Sequence, residues 1–209
     1  EPIGRNTAPA IALASLMTLE KSEDSILLVL SADHEIKNTA KFKQAINDGL
    51  EYARNGRLVT FGISPNSPET GYGYIEAYDE LTIKNISSNI NKFIEKPTKE
   101  LAEKLIKDKR YTWNSGIFMF KASTIIKELS RYEPKIVDLC RKSLEDSSKD
   151  LDFQRIKKES FEKCPNIPID IAVMEKTKLG TVLSLNVGWS DIGNWKSVWE
   201  NSTKDINGN

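Results

Sequence analysis

Four short stretches carry the side chains of this sequence best suited to chemistry. An apolar run at residues 26–30 leads through Ser31 and Ala32 to Asp33 and His34, the only histidine in the chain. "NKFIEKP" places Glu95 and Lys96 directly before Pro97. "YTWNSGIFMF" holds Asn114-Ser115-Gly116, and "VLSLNVGWSDIG" leads through Trp189 and Ser190 to Asp191. Two hard carboxylates suit Mg²⁺, which keeps several waters and is completed by substrate phosphates. Two Asp, one Glu and one Lys at neighbouring strand ends read as a phosphate and divalent-metal site. Taken singly, each stretch is ordinary. Asp-His after a strand is a turn or helix cap, Glu-Lys-Pro a solvated strand end, and the glycines of "TGYG" a tight turn. Their common position is what raises the functional reading, because ligands of open parallel sheets bind outside the carboxyl ends of the strands.

The elements that would position these residues alternate between β and α. The first stretch, "NTAPAIALASLMTLEK", has a broad apolar face and Asn6 or Thr7 as a helix cap. Residues 26–30 form a short apolar run bounded by polar residues, the pattern of a strand buried on both faces. Helical spacing returns at residues 39–54, and residues 57–63 form the next strand. Further strands are expected at residues 74–78 and 91–97, the latter stopped by Pro97. Thr98 caps a helix whose early Glu100 suits the positive end of its dipole. "YTWNSGIFMFKA" alternates as a strand, residues 123–147 read as two helices broken at Pro134, and residues 151–163 as another helical pattern. The fold class implied is α/β, a Rossmann-like, doubly wound, mixed and mostly parallel sheet.

The chain's 209 residues carry 30 basic and 30 acidic side chains, so no net charge argues for a nucleic-acid or membrane partner. No run approaches the roughly 18 apolar residues of a membrane span. Cys140 and Cys164 lack metal-site spacing and read as buried thiols of a reducing compartment, which points to the cytoplasm.

The blocks "EPIGRNTAPA", "LSADHEI", "FGISPNSPETGYGYI", "FIEKP", "WNSGIFMF", "IPIDIAVMEK" and "VGWSDIGNW" follow one another in this order. Together they resemble the mannose-1-phosphate guanylyltransferase (GDP-mannose pyrophosphorylase) family, of the bacterial type often fused to a phosphomannose isomerase. The resemblance implies a sugar nucleotidyltransferase fold and an enzyme that transfers GMP from GTP to mannose 1-phosphate, giving GDP-mannose and pyrophosphate. It implies Mg²⁺ as cofactor, held by Asp33 and Asp191, with Asp33, Lys96 and Asp191 as the catalytic set. It also implies that Glu95, Lys96, Asn114, Asp170 and Gly73 surround the sugar phosphate. Glu1, Arg5, Asn6 and Thr7 would meet the nucleotide, with Glu1 accepting from guanine N1–H and N2–H₂, a donor pair that uracil lacks. The attacking phosphate, with a second pKa of about 6, is largely ionised near neutral pH, so no general base is required. His34 is accordingly expected to shape the Asp33 turn.

The family's opening strand and glycine-rich triphosphate loop, of the form GxGTRLxP, have no counterpart in these 209 residues. The expectation is a single nucleotidyltransferase domain fragment over 1–209, incomplete at both ends and with little transferase activity on its own. Homo-oligomerisation is left open. Two other functions stay open as well: nucleotidyl transfer to another sugar 1-phosphate, and a non-catalytic nucleotide-sugar-binding subunit.

Overall fold

A computed structural model describes residues 1–21, 24–145, 147–193 and 195–205. In chain order its elements begin with α1 (Thr7–Lys21), β1 (Ile26–Val29), β2 (Glu35–Ile36), α2 (Thr39–Arg54), β3 (Leu58–Ile63), β4 (Tyr74–Ala77) and β5 (Ser87–Ile94). Next come α3 (Lys99–Leu105), β6 (Tyr111–Lys121), α4 (Ala122–Tyr132), α5 (Pro134–Glu145), β7 (Ser148–Asp150), β8 (Phe153–Arg155) and α6 (Lys158–Phe161). A π-helical turn (Asp170–Met174), β9 (Gly180–Ser184), β10 (Trp189–Ser190) and α7 (Trp195–Asn201) complete the order. Local chemistry sets several of these boundaries. The Asn38 side chain accepts from Lys41 N at 2.9 Å to cap α2, and Thr98 accepts from Leu101 N at 3.4 Å to cap α3. Pro134 ends one helix and opens the next, where its missing N–H costs nothing.

Six strands form the main sheet in the order β1-β6-β3-β9-β5-β4, and β4 returns to pair with β6. Among the described residues only the β3–β9 pairing is parallel; the other five are antiparallel. The α/β class stands, and the expectation of a mostly parallel sheet is corrected. The connection through α2 carries the chain from β1 to β3 in the same direction, but β6 later inserts between them, antiparallel to both. Alternation of elements along a sequence signals crossovers and is blind to a strand that arrives afterwards.

β6 alternates sharply. Phe118 and Phe120 face α1, α4 and α5, together with Ile11, Leu16, Ile125, Leu129 and Ile136. Ile117 and Met119 face α2, with Val59, Phe61 and Leu183. Helices thus cover both faces of the sheet, and each face buries its own cluster.

Two expectations about elements fail. β1 is not buried on both faces: among the described residues it pairs only with β6, and Leu28 and Leu30 are 36% and 50% exposed. Residues 151–163 are not one helix but the turn and second strand of the β7–β8 hairpin followed by the four-residue α6. Leu151 and Phe153 are 93% and 60% exposed, and Leu151 turns the hairpin at φ 53°. Burial separates β6 from β1 energetically. Phe120→Ala should cost about 3–5 kcal/mol, and Leu28→Ala well under about 2 kcal/mol, when urea unfolding is followed by circular dichroism.

Candidate active site

A cavity of about 550 Å³ opens beside β6, between the start of α1, the loop after β1 and the segment joining β3 to β4. Asn6 and Thr7 line one side, and Gly73, Glu95, Lys96, Asn114 and Asp170 another. His34 and Asp191 complete the set of sequence-singled residues on its wall. Glu1, Arg5 and Asp33 lie outside that lining. Glu1 and Asp33 are exposed, and the Arg5 guanidinium donates to the Glu162 carbonyl.

Asn114 is the centre of one end. β6 pairs with β3 at Trp113 and Asn114 and again at Phe118 and Met119, with a register shift in between, where Gly116 takes a positive φ of 69°. Asn114 stays paired opposite Gly62 at the edge of this break, and its side chain lines the cavity. Its Oδ1 accepts from Thr60 Oγ1 at 3.1 Å and from Gly116 N at 3.2 Å, which leaves Nδ2 to donate to Asp170 Oδ1 at 2.9 Å. The amide is therefore fixed as a donor toward the cavity. Thr60 was missed in the sequence; a lone hydroxyl inside the buried run "LVTFGI" is the signal that could have found it.

Adjacent residues of a regular strand point to opposite faces, yet Glu95 and Lys96 both line the cavity. The structure resolves this: Lys96 adopts φ 44°, which breaks the alternation just after β5 and sets Lys96 Nζ 3.8 Å from Glu95 Oε1. Gly73 permits the arrangement, since a Cβ there would stand 2.7 Å from Glu95 Oε2. Burial, and then the nearby Asp170, push the Glu95 carboxyl above its ordinary range. Burial also raises Asp170, against the hydrogen bonds from its own backbone and Asn114.

The other end is organised by a two-stranded ribbon. β2 and β10 pair antiparallel with Ser190 opposite Glu35, and the ladder continues through Lys37 N to Gly188 O and Asn38 N to Val187 O. The ribbon brings the Asp33-His34 turn alongside Asp191. Indole Nε1 of Trp189 donates to His34 Nδ1 at 3.2 Å, and Tyr72 OH donates to Asp191 Oδ1 at 2.9 Å. Tyr72 sits edge-on to Trp113 and Trp189, with ring centroids 5.2 and 5.5 Å away. Its role was not read from "TGYG", where the glycines took precedence.

The residues present fit a divalent cation. Among the described residues no three His, Cys, Asp or Glu side chains converge as a complete metal cage. Asp191 opens onto the cavity that also holds Lys96, with the exposed Asp33 just outside its lining, and carboxylates so placed are the hard donors Mg²⁺ takes when substrate phosphates supply the remaining ligands.

A model of the nucleotidyl transferase family matches residues 1–208. A Vibrio cholerae protein, provisionally named a mannose-1-phosphate guanylyltransferase, is 50% identical over 209 residues, 100% of this chain and 44% of that protein. Seven further curated relatives, 43 to 48% identical, carry the mannose-1-phosphate guanylyltransferase name. A Thermus thermophilus structure, described as mannose-1-phosphate geranyltransferase, is 32% identical with a TM-score of 0.85, covering 98% of this chain and 57% of that one. A Helicobacter pylori structure described as mannose-6-phosphate isomerase is also 32% identical, with a TM-score of 0.80 and coverage of 90% and 72%. The chain belongs to the nucleotidyl transferase family. It spans less than half the length of the curated relatives it matches.

Two outcomes are expected. Gly73→Ala should leave the melting temperature within a few degrees, because the crowded atom is the end of a side chain, while displacing the Glu95 carboxylate, which a change in its titration followed by NMR would report. Glu95 takes up its proton at higher pH in the folded state than in the unfolded chain, so its charged form costs stability at neutral pH. Glu95→Gln should therefore melt above the parent at neutral pH, and the difference should vanish below the ordinary carboxyl pKa of about 4.3.

Proposed function

We propose that the chain provides the sugar-phosphate and catalytic end of a nucleotidyltransferase that joins GTP and mannose 1-phosphate into GDP-mannose and pyrophosphate. The observation that carries this reading is the single cavity bounded at one end by Glu95, Lys96, Asn114 and Asp170 and at the other by Asp191. The first group offers acceptors and an amide donor for sugar hydroxyls and a cation for the phosphate. The names of the curated relatives support the choice of mannose and guanine.

In this reading a phosphate oxygen of mannose 1-phosphate attacks the α-phosphorus of GTP in line. The new P–O bond forms as the bond to the β-phosphate breaks, and pyrophosphate departs with the electron pair. The nucleophile arrives ionised, so the protein's work is alignment and charge stabilisation. Lys96 holds the sugar phosphate, and Glu95, Asn114 and Asp170 fix the ring through its hydroxyls. Bound by Asp33 and Asp191, Mg²⁺ would offset the charge on the α-phosphate. Asn6 and Thr7 line the nucleotide side, with Glu1 assigned to the guanine edge. His34 orients its turn through Trp189 and transfers no proton.

The test is pyrophosphate release from GTP and mannose 1-phosphate, using the chain with whatever flanking sequence its gene encodes. UTP and glucose 1-phosphate serve as competing substrates, and mannose 6-phosphate isomerisation is assayed in parallel. Asp191→Asn should reduce release by about 100-fold or more, the scale for losing a charge-stabilising group at the reacting centre. Equal rates with all nucleotides and sugars would refute the mannose and guanine assignment, and isomerisation without pyrophosphate release would refute the transfer itself.

A further inference from the structure

Asp191 is held on several sides. Its Oδ1 accepts from Tyr72 OH at 2.9 Å and from Gly193 N at 3.2 Å. Ile192, between them, takes φ 48°, a conformation unfavourable for a β-branched residue, and its N–H donates to Ser190 Oγ at 3.3 Å. A Cβ on residue 193 would stand 2.7 Å from Asp191 Oδ2, so glycine keeps the approach to that oxygen open. The Tyr72 ring is fixed in turn against Trp113 and Trp189, and Trp189 also meets His34 edge-on at 5.2 Å. The neighbouring Gly73 carbonyl accepts from Asn114 N at 2.8 Å, which ties this segment to β6.

We propose that Tyr72 is a positioning residue for the cation-binding carboxylate: its hydroxyl, with the Gly193 amide, occupies Asp191 Oδ1 and presents Oδ2 as the single oxygen for a divalent cation. This rests on the assignment of Asp191 as a metal ligand made above. A carboxylate free at both oxygens can ligate in bidentate fashion, which suits the larger and more flexible shell of Ca²⁺. One restricted to a single oxygen suits the octahedral shell of Mg²⁺. Tyr72 thereby serves both affinity and metal choice. It also joins the two ends of the cavity, because the residue next to it is the glycine on which Glu95 rests.

The test is Mn²⁺ binding followed by electron paramagnetic resonance in the presence of GDP-mannose, with Mg²⁺ and Ca²⁺ as competitors. Parent, Tyr72→Phe, Gly193→Ala and Asp191→Asn proteins are compared. Phenylalanine keeps the ring packing, so Tyr72→Phe should melt close to the parent. It should bind Mn²⁺ about 10-fold or more weakly, the usual consequence of removing an outer-shell partner, and lose its preference for Mg²⁺ over Ca²⁺. Gly193→Ala, which crowds Oδ2 without touching the tyrosine, should weaken binding by an independent route. Tyr72→Phe binding within about twofold of the parent, with Asp191→Asn abolishing binding, would overturn the role of Tyr72 and leave the metal site standing. Unchanged binding in Asp191→Asn would overturn the metal assignment and the proposal together.

Discussion

The eleven residues of β6 must satisfy two hydrophobic cores and one polar cavity within a single strand. Period-two geometry sends Phe118 and Phe120 to one core and Ile117 and Met119 to the other, which fixes the register against both β1 and β3. A slip of one residue would exchange the two faces. With the register so constrained, the polar side chains that β6 gives to the cavity sit at the break, at residues 114–116. There Gly116 supplies the positive φ, and the Asn114 side chain lines the cavity. The cavity depends on this interruption of an otherwise regular strand.

Around that point the protein gathers groups that resist being together. Glu95 and Asp170 are drawn partly out of water, which raises both carboxyls; Asp170 pushes Glu95 up further, and Glu175 does the same to Asp170. Lys96 offsets part of the cost from a backbone conformation that non-glycine residues seldom adopt. Asn6 and Ile192, at other edges of the same site, share that positive φ. Strain concentrated at a cavity while the cores stay regular is the distribution expected where the surrounding structure over-determines the backbone for a ligand.

Much of this was readable beforehand. The helix at residues 39–54 matches α2 at both ends, because Asn38 caps it and its apolar residues recur on one face. Thr98 and Pro134 mark the expected boundaries, and the stretches carrying Glu95, Asn114 and Asp191 meet in one cavity. Side-chain type and local spacing carry such information because caps, turns and amphipathic faces are short-range devices. The hairpin at β7–β8 escaped, since Leu151 and Phe153 look like core residues until their exposure is known.

What the sequence determined by itself was therefore a set of elements, a family resemblance and a short roster of residues fit for phosphate and cation chemistry. The tertiary structure alone decided that β6 enters between β1 and β3, making the sheet predominantly antiparallel. It alone decided that a ribbon of β2 and β10 brings Asp191 beside the Asp33 turn, and that Thr60 and Tyr72 orient Asn114 and Asp191. Those decisions rest on contacts between residues 54 and 155 positions apart. No local pattern encodes such pairings, because they are selected only when both cores close at once.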